Sequence, residues 1–452
     1  MEEKIAIIGA GLAGCECALI LARSGIKVIL YEQKPLFHSE AHVSAYFSEL
    51  VCSNSLRSKE LTSGIGLLKQ EMREMHSPFM AAADKYAVPA DKALAVDRNA
   101  FAQSITNQIL QEDLIEVVRD RIESLDDPRL HQENIAYIVI AAGPLISENL
   151  AQSLNSLIGV EQCYFYDAIA PIVWKDSLNF EIIFRASRYQ EQNKSDPSAE
   201  NTGDYLNCPM NRDEYQHFYD ALTQAQTVPA KPFEKLKHFE GCMPIEALAS
   251  RGFKTLAFGP LKPVGFIDPR TGTRPYAILQ LRAENLQQDT YNLVGCQTRM
   301  LQSEQQRIFR QIPGLEQAEF ARFGSMHRNT YVNAPLVLDQ DLALNKNKKI
   351  FLAGQITGVE GYVESAACGL WVAQVIAARL KNIAMHKPPK ETALGALLGH
   401  LEKFEKKFQP SNAHFGLMPT PEEKIKKIDR KRAYSDRART YFKAWLEGQP
   451  TF

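Results

Sequence analysis

Residues 5–8, Ile-Ala-Ile-Ile, form an unbroken apolar run. Such a run, rich in β-branched residues, predicts a parallel strand buried on both faces. Residues 13–23 continue with a helical pattern that Ser24-Gly25 closes, and residues 27–31 are a second apolar run. A β-α-β unit is expected. Two further buried strands are predicted far along the chain, at 135–142 (IAYIVIAA, closed by Gly143-Pro144) and at 350–353, which ends in Gly354-Gln355. Gly358, Gly361 and Gly369 punctuate the stretch after the last strand, and residues 362–380 predict a helix. Residues 64–75 predict an amphipathic helix, 93–96 a short strand, and 99–110 a helix with Asp97 as its N-cap.

From about residue 150 the texture changes. Residues 168–184 alternate apolar and polar positions, as strands do. Residues 190–203 are polar, contain Asp196-Pro197 and predict an exposed loop; 212–223 predict a helix, and 276–281 and 292–295 predict strands. The parallel-strand pattern returns only near residue 350. The expected organisation is therefore a nucleotide-binding domain in two parts, 1–149 and 324–452, around an α+β insertion at 150–323.

The chemistry of the first unit is written in its turn. Gly9, Gly11 and Gly14, with Ala10, Leu12 and Ala13 between them, have the spacing G-x-G-x-x-G, and Glu32 ends the second strand. Gly9 allows a tight turn, Gly11 lets backbone approach a pyrophosphate, and Gly14 lets helix and strand pack closely; the helix N-terminus offers N–H groups to the phosphates. Glu32 can accept hydrogen bonds from a ribose diol. A dinucleotide site is expected, and this unit alone does not choose between FAD and NAD(P). The second pass at Gly354 and Gln355 favours a tightly held flavin. The fold class expected is α/β, a Rossmann-like, glutathione-reductase-like FAD-binding domain with an inserted α+β domain. A membrane span over the apolar N-terminus is disfavoured by Glu16 and the three glycines, and Met1-Glu2-Glu3-Lys4 lacks the basic region of a secretory signal.

Net charge is −1, so no global field draws in nucleic acid and a polyanion site must be a local patch. The basic stretch at 403–443, which includes Lys426, Lys427 and Arg430, is either such a patch or a solvated helix face. The chain has eight cysteines and no C-x-x-C pair, which points away from a zinc cluster; no metal site and a reducing, cytoplasmic setting are expected. Cys52 is followed by small polar residues and Arg57. It reads either as a half-buried structural cysteine or as a reactive thiol whose pKa is lowered by a helix N-terminus or by Arg57.

The stretches IIGAGLAG, ELVCSNSLRS, AVDR, ASRY, DYLNCPM, FEGCMPIE, FGPLKPVG, DPRTG, IPGL, MHRNTY and GQITGVEGYVESAA occur in this order between residues 7 and 367. In them the chain closely resembles the folate- and FAD-dependent tRNA (uracil-5-)-methyltransferases, the TrmFO family, formerly Gid. IIGAGLAG alone would fit any FAD enzyme; FEGCMPIE and GQITGVEGYVESAA are far more specific. Asp91 stands where the pattern has glycine, and Cys296 where it has phenylalanine.

The resemblance implies 5-methylation of a uridine (U54, in the T-loop of tRNA), with 5,10-methylenetetrahydrofolate as one-carbon donor, FAD, and NADPH or NADH as reductant. Carbon 5 of uracil is a poor nucleophile, and a thiolate adding to carbon 6 activates it. A methylene lies one two-electron reduction above a methyl group, so a reductant is obligatory. The resemblance makes Cys242 the nucleophile on carbon 6 and Cys52 the second catalytic thiol, near the flavin. His327 in MHRNTY, with Arg328 beside it, would stack on the folate or relay a proton, or His327 is a packed core histidine. The partners implied are tRNA and folate, with no membrane and no obligate protein partner. Alternatives are the same chemistry on a ribosomal RNA, an FAD-dependent oxidoreductase of small molecules, and a non-catalytic RNA-binding flavoprotein.

Overall fold

The protein's structure, a computed structural model, describes residues 3–160, 163–188, 203–228, 243–404, 408–421 and 425–449. The first apolar run forms β1 (Lys4–Ile8), followed by α1 (Leu12–Arg23) and β2 (Lys27–Tyr31). β1 pairs in parallel with β2 on one side and with Ile135–Ile140 on the other. The six-stranded sheet runs Ala343–Leu344, Asn347–Leu352, Ile135–Ile140, β1, β2, Ile115–Val118. All its pairings are parallel except that of the short edge strand Ala343–Leu344. A strand from near residue 350 thus lies in the sheet that the first thirty residues begin, as the split apolar pattern requires.

α1 crosses the helix Tyr362–Leu380 at close range. A Cβ on Gly369 would stand 2.1 Å from the carbonyl oxygen of Ala13, so only glycine lets the two backbones meet there. Tyr362–Leu380 is the one helix among the described residues long and apolar enough to cross a bilayer, and 78% of its apolar window is buried in the protein. It is a core helix. Buried Glu16, in the middle of α1, accepts the N–H of Phe79 at the start of the helix Pro78–Lys85 (2.8 Å), and burial raises its pKa to about 7. Buried Glu71 serves the start of Ala393–Glu402 in the same way, accepting from Ala393 and Leu394 at 2.7 Å each.

A second body has its own core, from Val173 to Ala318, around an antiparallel six-stranded sheet: Phe184–Ala186, Tyr205–Met210, Ala277–Ala283, Thr290–Leu293, Ile172–Trp174, Phe320–Arg322. Leu150, Leu154 and Ile158 pack into the first core. A two-stranded ribbon, Cys163–Ala168 against Met326–Tyr331, carries the chain out and back. The alternation over 168–184 resolves into a three-residue strand at Ile172–Trp174, a turn at Lys175–Ser177 and the start of Phe184–Ala186. The strands Ser55–Ser58, Ile115–Val118 and Tyr205–Met210 carry no clear pattern and escape sequence reading. The loop expected at 190–203 lies almost wholly outside the described residues.

Asp91 has φ +51°, in the left-handed region where glycine is the unstrained choice, which accounts for the glycine of the family pattern. Its N–H donates to the Asp204 carboxylate of the second body. Cys296 is fully buried in the second core.

Candidate active site

The glycine loop lies at the carboxyl end of β1, where ligands of open parallel sheets bind. Gly9 has φ +103°, and a Cβ there would lie 2.6 Å from the Ala141 carbonyl oxygen. A Cβ on Gly14 would lie 1.9 Å from the Gly9 carbonyl oxygen. Gly11 differs: a Cβ there meets nothing within 4 Å. Gly9 and Gly14 serve the fold, while Gly11 keeps space open in the cleft. That cleft holds about 1130 Å³, its open mouth included. It is lined by Gly9 to Ala13, Glu32, Ala141 to Ser147, Gly354, Gln355, Tyr362 and Ser365, among others.

Glu32 is buried, and its two oxygens accept the N–H groups of Ala10 (2.8 Å) and Lys34 (2.9 Å). The carboxylate is held in place at the end of β2 with lone pairs left for a diol. Gly354, at φ +85°, brings the second pass against α1; a Cβ there would lie 2.9 Å from that of Ala13. Gln355 gives its side-chain amide to Glu360 at 2.8 Å. Glu360 is held well above the usual carboxylate range by burial, with Asp167 and Glu364 adding to the effect.

Cys52 lies half-buried in the loop before the strand Ser55–Ser58, and its environment does not match a thiol of lowered pKa. No helix begins there. Arg57, at φ +63°, turns away and pairs with buried Glu364. Burial pushes the Cys52 thiol up rather than down; Asp167 adds to this, Arg98 opposes it, and Glu360 and Arg322 act next in the same two senses. The sulfur lies 3.9 Å from the Ala168 carbonyl oxygen. The loop itself is held from three directions. The Tyr362 hydroxyl accepts the N–H of Cys52 (2.6 Å) and of Ser53 (3.2 Å). Arg282 of the second body donates to the Ser53 hydroxyl (2.7 Å) and to the Asn54 side chain (2.8 Å). Arg98 donates to the Leu50 carbonyl (2.8 Å) and pairs with Glu284 (2.7 Å). Cys52 therefore sits at the seam between the two bodies, beside a tyrosine that lines the cleft.

His327 is buried on the ribbon, opposite Asp167 in register. One ring nitrogen lies 2.9 Å from the Ser325 hydroxyl and the other 3.7 Å from the carboxylate of exposed Glu40; burial lowers its pKa. Arg328 follows on the same strand, opposite Tyr166. Cys242 lies outside the described residues. Lys426, Lys427 and Arg430 are exposed; Arg430 begins the helix Arg430–Glu447, which is anchored through buried Tyr434, Ala438, Phe442 and Trp445. Among the described residues, no hydrogen bond or ion pair joins these three cations to the cleft. Sequence reading missed Tyr362, Arg322 and Asp167 as site residues. Tyr362 stands inside GQITGVEGYVESAA and could have been found there; Asp167 carries no local signal.

The profile of the family described as Glucose inhibited division protein A (GIDA) matches residues 4–384. A protein of Nitratidesulfovibrio vulgaris (strain Hildenborough) named "Methylenetetrahydrofolate--tRNA-(uracil-5-)-methyltransferase TrmFO" is 60% identical over 98% of this chain and 91% of its own length. The protein of the same name from Lawsonia intracellularis is 56% identical over 99% of this chain and 98% of its own. Among solved structures, Aquifex aeolicus GidA in its form II crystal superposes with a TM-score of 0.65 at 13% identity, over 98% of this chain and 74% of that one; this likeness speaks for the fold alone. The cleft on the parallel sheet, the family profile and the near full-length identity agree: the chain belongs to the GIDA family and, within it, to the TrmFO group of folate- and FAD-dependent tRNA (uracil-5-)-methyltransferases.

Proposed function

We propose that this protein transfers the one-carbon unit of 5,10-methylenetetrahydrofolate to carbon 5 of a tRNA uridine, U54 of the T-loop, with FAD as cofactor and NADPH or NADH as the source of electrons. The observation that carries this reading is the position of Cys52. Methylation of uracil needs a thiol to activate or deprotonate the base, and Cys52 is a free thiol beside the cleft, not bonded to a second cysteine as in the redox pair of a disulfide-reducing flavoprotein.

The residues of the cleft suit FAD. Gly11 leaves room for a pyrophosphate, the N-terminus of α1 faces that room, Glu32 would accept from a ribose diol, and Gly354 closes the second wall. Bound there, FAD would supply the two electrons that separate a methylene from a methyl group. The remaining steps fall to side chains. Cys242 adds to carbon 6 of the uracil. Cys52, kept protonated at rest by burial and by Asp167, first gives its proton to solvent, a loss that Arg98 and Arg322 favour; the thiolate then takes the proton of carbon 5. His327 orients the folate or relays its proton.

The test is methyl transfer from labelled methylenetetrahydrofolate to an undermodified tRNA in the presence of NADPH, followed by nucleoside analysis. Label in 5-methyluridine at position 54 is expected. Label in ribosomal RNA alone would transfer the chemistry to another substrate, and NADPH oxidation without methylation would reduce the protein to an oxidoreductase. A 5-fluorouridine tRNA should become trapped on the peptide that holds Cys242, because fluorine cannot leave as a proton does. An adduct on Cys52 alone would reverse the two roles.

A further inference from the structure

The second body carries a pocket that this reaction scheme does not use. It opens where the strand Tyr205–Met210 meets the helix Arg212–Thr223, facing the helix Lys254–Phe258 and the segment 259–276, and encloses about 1520 Å³ with its mouth included. Four cations line it, against two carboxylates. One cation is already committed: Arg270 grips buried Asp268 through two bonds, at 2.8 and 3.2 Å. That pair stiffens a tight turn in which Asp268 and Thr273 pair, and Gly272 (φ +65°) donates to the Asp268 carbonyl at 2.8 Å. The other three, Arg212, Lys262 and Arg274, are exposed and have no carboxylate within ion-pair distance among the described residues. Glu214, the second acid, is turned back onto the N–H of Asn211 at 2.7 Å as part of a capping box.

An apolar surface lies among these charges. Phe258 is 78% exposed and Val264 50%, although their neighbours Leu256, Leu261 and Phe266 are buried in the protein. The backbone is thus anchored by alternate side chains and presents Phe258, Lys262 and Val264 outward from a set position. Leaving a phenylalanine ring in water is unfavourable, and here the ring stands with Val264 among three cations that have no carboxylate partner among the described residues.

Resting on the reading of the protein as a tRNA methyltransferase, we propose that this pocket is a docking site for an unpaired segment of the substrate RNA. Arg212, Lys262 and Arg274 would contact its phosphates, and Phe258 would stack on a base. The chemistry selects RNA over a protein partner. Unpaired cations around an open aromatic ring match a chain of alternating phosphates and π-faces, and loops of RNA are read in this way. The need is also physical: with a net charge of −1 the molecule has no overall field to hold a polyanion, so affinity must come from local clusters.

The test uses the full-length, flavin-loaded protein and an undermodified tRNA transcript, with binding measured over a series of KCl concentrations. Replacing Arg212, Lys262 and Arg274 together by alanine should raise Kd about tenfold or more near physiological salt. The log–log salt slope should fall by about 2, as expected for three phosphate contacts to an unpaired strand. Phe258→Ala should weaken binding at every salt concentration without changing the slope, and Phe258→Trp should restore it. Independently, a tRNA carrying 4-thiouridine should photo-cross-link to peptides covering residues 254–276 of the unaltered protein. If the unaltered protein binds tRNA while the triple variant keeps its Kd and slope, or if no cross-link falls in these peptides, the pocket assignment is overturned and the methyltransferase reading stands. A pocket built for a protein partner would give that same result. If the unaltered protein binds no tRNA, both fall together.

Discussion

The hydroxyl of Tyr362 accepts the backbone N–H of Cys52 at 2.6 Å across 310 residues of sequence. Tyr362 is the first residue of the core helix Tyr362–Leu380 and also lines the cofactor cleft, so this bond ties the position of the thiol to the wall of the cleft. Tyr362→Phe removes the acceptor and leaves two N–H groups, of Cys52 and Ser53, without it. A fully buried donor left unmade costs about 1–3 kcal/mol, and these two, half-buried, stand at the low end of that range. The variant should keep its flavin, melt a few degrees lower and lose methylation far more than NADPH oxidation. Equal loss of both activities would show that Tyr362 acts on the cofactor rather than on Cys52.

The glycine loop separates folding from binding. At Gly11 a side chain meets no protein atom within 4 Å, and its φ of −76° suits any residue. Gly11→Val should therefore fold with a near-normal Tm and purify colourless. Gly14→Ala should damage folding itself, since its Cβ would collide with the Gly9 carbonyl. Yellow Gly11→Val protein with a full complement of FAD would refute the placement of the pyrophosphate.

The pH profile of methylation should report the surroundings of Cys52. The thiol is raised by burial first and by Asp167 next, so a reaction that needs its thiolate speeds up as pH rises. Asp167→Asn removes a negative charge, lowers the thiol pKa and should move the alkaline rise to lower pH. The sign is fixed by electrostatics: a shift to higher pH, or none, would mean that Cys52 does not act as a thiolate in the step that limits the rate.

The exposed cations Lys426, Lys427 and Arg430 give a separate prediction about RNA. Reversing their charge should weaken tRNA binding and reduce the salt slope by up to about 0.9 for each duplex phosphate that is no longer neutralised. Flavin content should not change, because the helix that Arg430 begins, and that Lys426 and Lys427 precede, is held through buried Tyr434, Ala438, Phe442 and Trp445. Unchanged Kd and slope would identify the stretch as a solvated surface.

The β-α-β unit, the glycine loop, Glu32 and the return strand near residue 350 are legible in the chain because each is a local signal. Apolar runs, glycine spacing and a helix-ending Ser-Gly are properties of a few adjacent residues, and backbone sterics and burial act on them at short range. Asp97 illustrates the same point: its side chain caps the helix Arg98–Gln111 by accepting from Ala100 at 2.9 Å, a bond spanning three residues. The setting of Cys52 has a different origin. Arg57, five residues away, reads in the sequence as its partner, yet Arg57 turns through a left-handed backbone position to Glu364. The groups that govern the thiol are Tyr362 and Asp167, together with Arg98 and Arg322, each brought there by a different strand or helix. Burial sets the direction of its pKa, and burial depends on how two separately cored bodies close over one loop. No pattern of neighbouring residues encodes that closure; it follows from packing between segments that are distant in the chain.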